Sequence, residues 1–221
     1  MKHMIRAVVV VGMLCGGAFS QDAVDPIELI RQTDAQFQQV RSYTCKATSI
    51  CKTYHGKKVS TYQDVVEYSF QKPKSIKMKW LAPWNIRGQV AIYSDEQLKV
   101  HLNFLPMPMS IDPNGKVAKD AGGNRIYNTD FGAVIRQIMD IKKDIPETEV
   151  TYLGIVQSNG RQVDKVSLRN HEGLVYYFVD RELLLPVAIE QYTPEMQLVT
   201  AAYFEDLKVN VAMSPYEFVQ D

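Results

Sequence analysis

The residues of this chain that could do chemistry are few and lie apart. Beyond the first twenty residues there are three histidines, His55, His101 and His171, and two cysteines, Cys45 and Cys51. His171 beside Glu172 is the one adjacent pair that could serve as a metal or acid–base fragment. It falls in a turn, His171-Glu172-Gly173, where such side chains are usually solvated. The chain has no G-x-S-x-G elbow, no H-E-x-x-H, no glycine-rich phosphate loop and no C-x-x-C. Its carboxylates are dispersed. We therefore expect no catalytic residue, no metal and no cofactor, and a protein that works by binding.

The cysteines point the same way. Six residues apart on an unbroken strand, their Cα atoms would be ~20 Å apart, whereas a disulfide closes at about 4.4–6.8 Å. Pairing them would need a sharp bulge near Thr48-Ser49, and two small buried thiols is the simpler reading. Small side chains at Cys45, Ala47 and Cys51 leave room above the strand. A ligand pocket and a closely packed helix are both ways to use it.

The N-terminus directs the chain out of the cytoplasm. Lys2 and Arg6 precede an apolar run from Ala7 to Leu14, and Ala18-Phe19-Ser20 is a small-x-small cleavage pattern. This predicts a signal peptide over 1–20, cleaved near Ser20/Gln21, and a single mature domain over 21–221. Cys15 follows Leu14 instead of a small residue, which argues against a lipid anchor. No later stretch reaches the ~20 apolar residues of a membrane span. The expected product is exported or periplasmic, and soluble. Acids and bases are equal in the whole chain, 25 each, and loss of Lys2 and Arg6 leaves a net charge of about −2, which excludes a strongly basic nucleic-acid binder.

Elements that would position a binding surface can be placed. Asp25-Pro26 opens a helix to about Val40, with Ile27, Ile30, Phe37 and Val40 on one face. From Tyr43 the period becomes two, and Gly56-Lys57 is a two-residue turn with glycine first, as type II′ requires. Paired residue numbers then sum to 113, so Cys51 faces Tyr62, Ala47 faces Val66, Cys45 faces Tyr68 and Tyr43 faces Phe70. All eight share an apolar face. Pro73 precedes a third strand on which Ile76, Met78 and Trp80 oppose Ser75, Lys77 and Lys79. Lys72, Lys74, Lys77 and Lys79 read as a solvated row.

Further strands are expected over 89–93, 97–104, 149–156, 162–169, 174–180, 187–192 and 197–209, with turns at Ser158-Asn159-Gly160 and at His171 to Gly173. A second helix, 131–143, carries Phe131, Val134, Ile135, Ile138 and Met139 at helical spacing, capped by Thr129 or Asp130. Trp80 and Trp84 flank a proline turn, which suits a rim both apolar and wet. Met107 and Met109 alternate with Pro106 and Pro108 in a long connection, 105–128, of the kind that forms lids.

The run from Leu185 to Phe218, above all Phe204-Glu205-Asp206-Leu207-Lys208-Val209-Asn210, resembles the C-terminus of the LolA-like periplasmic lipoprotein carriers. Phe70-Gln71-Lys72-Pro73, with the Trp80–Pro83 stretch after it, resembles another segment of that family. Ser94-Asp95-Glu96 lacks the family's usual Asp-Gly turn, so the chain looks closer to uncharacterised relatives than to LolA itself. The resemblance implies an α+β fold: a strongly curved antiparallel sheet, an unclosed half-barrel, with helices on its concave face and acyl chains held between. On that reading the cavity is lined by the eight hairpin residues with Ile76, Met78, Phe131, Ile135 and Ile138, and its mouth by Trp80, Trp84, Met107 and Met109. The expected protein is a monomeric, non-enzymatic carrier or chaperone of lipids or lipidated proteins, with a membrane-associated donor or acceptor. A sensor of a peptide or lipoprotein is the alternative, and a hydrolase the remote one.

Overall fold

Asp25 does what its position before Pro26 requires: its carboxylate accepts from the N–H groups of Ile27 (2.9 Å) and Glu28 (3.4 Å), and helix α1 runs Pro26–Gln39. The structure, a computed structural model, describes residues 24–119 and 123–219. The expected signal peptide, its cleavage point and Cys15 lie outside them. Among the described residues no helix is long and apolar enough to cross a membrane.

The hairpin forms in the register set by its turn. Strands β1 (Ser42–His55) and β2 (Lys58–Gln71) pair without interruption from Ser42↔Gln71 to His55↔Lys58. Gly56 has φ +61°, the left-handed value a glycine reaches without a Cβ penalty. The remaining strands are β3 (Ser75–Ala82), β4 (Val90–Ser94), β5 (Gln97–His101), β6 (Met109–Ile111), β7 (Glu149–Ser158), β8 (Arg161–Asn170), β9 (Gly173–Asp180), β10 (Pro186–Tyr192) and β11 (Leu198–Val209). The connection over 105–128, expected to have little structure of its own, holds β6 and two short 3₁₀ turns, Lys116–Ala118 and Ile126–Asn128.

All eleven strands form one antiparallel sheet, ordered β6-β5-β4-β3-β2-β1-β11-β10-β9-β8-β7. It is unclosed, since β6 and β7 are opposite edges. The chain must cross the sheet from one edge to the other between these strands. Helix α2 (Phe131–Asp144) makes that crossing, and its buried Phe131, Ile135 and Ile138 face the sheet. The N-cap is Asp130, whose carboxylate accepts from Ala133 N–H at 3.0 Å. Gly132 lets α1 and α2 touch: a Cβ there would lie 2.5 Å from the Phe37 ring.

Two apolar clusters result. One gathers Phe37, Tyr43, Phe70, Ile76 and Phe131 beneath the β1–β5 wing. The other packs Leu29, Ile30 and Ile138 against Val166, Leu168 and Tyr177 of the β8–β10 wing. The lysines are not one solvated row. Lys72 Nζ donates to the carbonyls of Phe37 (2.9 Å) and Gln38 (2.7 Å), at the negative end of α1, which has no basic residue in its own last turn. Desolvation there lowers its pKa, against the nearby Asp130 charge. Lys77 meets Glu217 at 3.1 Å, so the C-terminal segment lies on the outer face of the sheet. Lys79 is exposed and pairs with Glu67 at 3.6 Å.

Candidate functional site

Register places the inner, helix-side residues of the β1–β6 wing in rows. The lowest row is Tyr43, Phe70, Ile76, Tyr93 and Leu98, every one buried. The next is Cys45, Tyr68, Met78, Ala91, Val100 and Met109, buried at Cys45 and Tyr68 and exposed at the edge. Above it, Ala47 and Val66 are buried, and their row neighbours Trp80 and Phe204 are half-buried. The upper rows hold Ser49 with Asp64 and Ala202, then Cys51 with Tyr62 and Thr200. None of these is fully buried, and Tyr62 is 40% exposed.

Helix α2 closes the lower rows. Its ring Phe131 stacks on Tyr43, centroids 4.3 Å apart, and Tyr43 stacks on Phe70 at 5.0 Å. Phe131 N–H donates to the Tyr43 hydroxyl at 3.2 Å, and the Tyr68 hydroxyl meets Thr129 Oγ1 at 3.1 Å. Two hairpin tyrosines therefore hold the N-terminus of α2. Burial raises the pKa of both hydroxyls and pushes the Cys45 thiol up to about 12. No helix covers the upper rows this way. There Trp80 turns its indole N–H to Asp64 Oδ2 at 3.1 Å and presents its ring beside Met78. The result is an open, half-buried surface in which Ser49, Asp64 and Thr200 interleave with Trp80, Ala202, Cys51 and Tyr62.

No family model matches this chain, and no curated protein does. Solved structures do. MucB aligns over 89% of the chain and 63% of its own length, at 12% identity and TM-score 0.55. The lipoprotein LppX from Mycobacterium tuberculosis aligns over 86% and 99%, at 10% and 0.51. An uncharacterised conserved protein from Thermus thermophilus aligns over 87% and 91%, at 6% and 0.53. These likenesses are of fold alone, which in this chain is an open eleven-stranded antiparallel sheet with two helices, as the sequence resemblance implied. The fold is LolA-like.

Within this LolA-like sheet the expected cavity residues separate. Tyr43, Cys45, Ala47, Val66, Tyr68, Phe70, Ile76, Phe131 and Ile135 pack into one cluster, and Ile138 joins the other. Met78 and Trp80 border the first cluster and are half-buried. Cys51 and Tyr62 stand in the upper rows. Trp84 and Met107 lie on loops, 88% and 71% exposed, and Met109 is on β6 in line with Met78. Cys45 and Cys51 are not joined to each other, and the hairpin has no bulge at Thr48-Ser49. His171 turns to Glu147, 3.3 Å away, instead of Glu172, and both partners are well exposed.

Thr200, Ala202 and Phe204 are upper-row residues that sequence reasoning did not place. Their alternation is visible, but nothing local says that β11 pairs with β1, or where. Two hollows lie on the sheet, the first bordered by Phe204 and Val187. One, about 240 Å³, has Arg161, Glu205 and Asp206 in its wall. The other, about 210 Å³, has Glu149 and Arg169. Both are below the usual ~300–1,000 Å³ of ligand pockets, and charge suits neither to an acyl chain.

Proposed function

We propose that this protein is a non-enzymatic, exported carrier that holds an acyl chain of a lipid or lipoprotein on the upper inner face of its sheet. The observation that carries this reading is the uncovered surface of Cys51, Tyr62, Met78, Trp80, Thr200 and Ala202, set above a floor that α2 has packed tight. The apolar groups of this surface favour a hydrocarbon guest at ~25 cal/mol per Å² buried, so one chain is worth several kcal/mol. That is enough to hold cargo and still release it. The packed lower residues serve as floor and the loop residues Trp84, Met107 and Met109 as rim. No proton transfer or nucleophile is needed.

Mass spectrometry of an organic extract of the purified protein should return bound lipid. A fluorescent fatty-acid probe should bind and be displaced by that extract. An empty extract together with no probe uptake at micromolar concentrations overturns the reading.

A second reading is a sensor whose same surface receives a peptide or lipoprotein. Its support is the likeness to MucB in its complex with MucA from Pseudomonas aeruginosa, at 12% identity and TM-score 0.52 over 90% of this chain and 62% of that one. A stoichiometric protein partner in a pull-down, with no lipid extracted, would favour it.

A further inference from the structure

The antiparallel order brings several loops to one end of the β1–β6 wing. Strands β1, β3 and β5 finish there and β2, β4 and β6 begin there, so the hairpin tip and the connections 83–89 and 102–108 project from the same end. The two connections are tied together, because Asn103 Nδ2 donates to the Arg87 carbonyl. They carry three strongly exposed apolar groups: Trp84 at 88%, Phe104 at 76% and Met107 at 71%. Beside them β2 runs on past the end of β3, since Val65 is the last residue paired with it, and this stretch, still paired with β1, bears exposed Val59 and Tyr62. Seven residues, 58–64, give this arm a reach of ~23 Å.

Charge on this end is mostly positive. Residues 51–63, 83–94 and 97–111 include Lys52, Lys57, Lys58, Arg87 and Lys99 and no Asp or Glu, in a chain whose acids and bases are equal at 25 each, and the one acid of the arm, Asp64, accepts from the Trp80 indole N–H. Lys57, Lys58 and Arg87 are exposed. Exposed rings and a thioether next to exposed cations are the chemistry of a surface that meets anionic headgroups. The rings and thioether suit the boundary between headgroup and hydrocarbon, and the cations suit the negative surface potential.

We propose that this end docks on an anionic lipid bilayer, with Trp84, Phe104 and Met107 at headgroup depth and the hairpin arm laid along the surface. The inference rests on the carrier reading for its purpose, giving cargo a short path between bilayer and groove, but it is measured without cargo. The chemistry selects a membrane over a protein partner because the three apolar groups sit on separate residues of short loops and form no groove that would seat a helix or strand.

Co-sedimentation of the ligand-free protein with vesicles tests it. Binding should be strong on phosphatidylglycerol-containing vesicles, at least tenfold weaker on pure phosphatidylcholine, and weakened by 0.5 M salt. The triple variant Trp84→Ala, Phe104→Ala, Met107→Ala should lose at least tenfold in vesicle affinity, and Lys57→Glu with Lys58→Glu should abolish the preference for anionic lipid. These sites are exposed, so thermal unfolding should be unchanged. Fatty-acid probe uptake should also persist in the lysine variant, which separates failure of docking from failure of the carrier reading. No sedimentation with anionic vesicles, binding equal in the triple variant, or capture of a protein partner through these loops without any vesicle binding would each overturn the proposal.

Discussion

The lower and upper rows of the inner face are built from the same two strands and the same alternation, yet they end in opposite states. Tyr43 and Phe70 are 1% and 2% exposed, while Tyr62, on the same face of the same hairpin, is 40% exposed. Hydrophobicity separates them only in part, since tyrosines occupy both while Ser49 and Asp64 stand only in the upper rows. What separates them is α2: its crossing from β6 to β7 lays Phe131 on Tyr43 and ends coverage there. An apolar face becomes core where the chain happens to return over it, and remains a binding surface where it does not.

The largest test of this contrast removes the lid's anchor. Phe131→Ala should destabilise the protein by ~3–5 kcal/mol, as loss of a buried ring does, read as a fall in the urea midpoint. A cost under ~1 kcal/mol would mean the lower rows are not a true core.

Alkaline pH should act on the same rows. The Cys45 thiol ionises near 12 when folded, against an ordinary value of 9.0, with burial as the cause. The unfolded state therefore loses its proton first, so the stabilisation is complete below pH 9 and is lost as pH rises toward 12. Between pH 8 and 10.5 stability should fall by on the order of 2 kcal/mol from this thiol alone, and the raised Tyr43 and Tyr68 hydroxyls push the same way. Cys45→Val should flatten the urea-midpoint profile in part.

Filling the upper rows sharpens the other side of the comparison. Cys51→Trp should leave the thermal midpoint within a few degrees and weaken fatty-acid probe binding about tenfold, ~1.4 kcal/mol. Unaltered affinity would move the site elsewhere. The smallest effect belongs to the β8–β10 wing, where the buried Tyr177 hydroxyl has no hydrogen-bond partner among the described residues. The Thr33 hydroxyl is close to it but outside hydrogen-bonding geometry, and donates to the Leu29 carbonyl at 2.9 Å. Tyr177→Phe should leave stability unchanged or raise it by up to ~1 kcal/mol, because a desolvated donor is removed with nothing lost to it.

Much of the frame was legible because its rules are short-ranged. Asp25-Pro26 and Asp130 start helices through bonds to N–H groups two or three residues on. Gly56-Lys57 determined every pair in the β1–β2 hairpin, since a two-residue turn and a period of two leave one register. The candidate site was half legible: the alternation named the residues of the inner face but not their burial. Lys72 illustrates why. By sequence it belongs with its neighbouring lysines, and only the return of α1 to the same corner gives it two carbonyls to cap.

The amino-acid sequence by itself determined which residues share a face, because side-chain direction follows from local φ and ψ and repeats with each turn or pleat. Tertiary structure alone decided that β11 closes against β1, through a register shift between Thr44 and Lys46, and that α2 covers the lower rows and stops. The first joins segments more than a hundred residues apart, and the second brings Phe131 to Tyr43 across 88. No turn propagates a register over that distance, so the competition among whole-chain packings settles it.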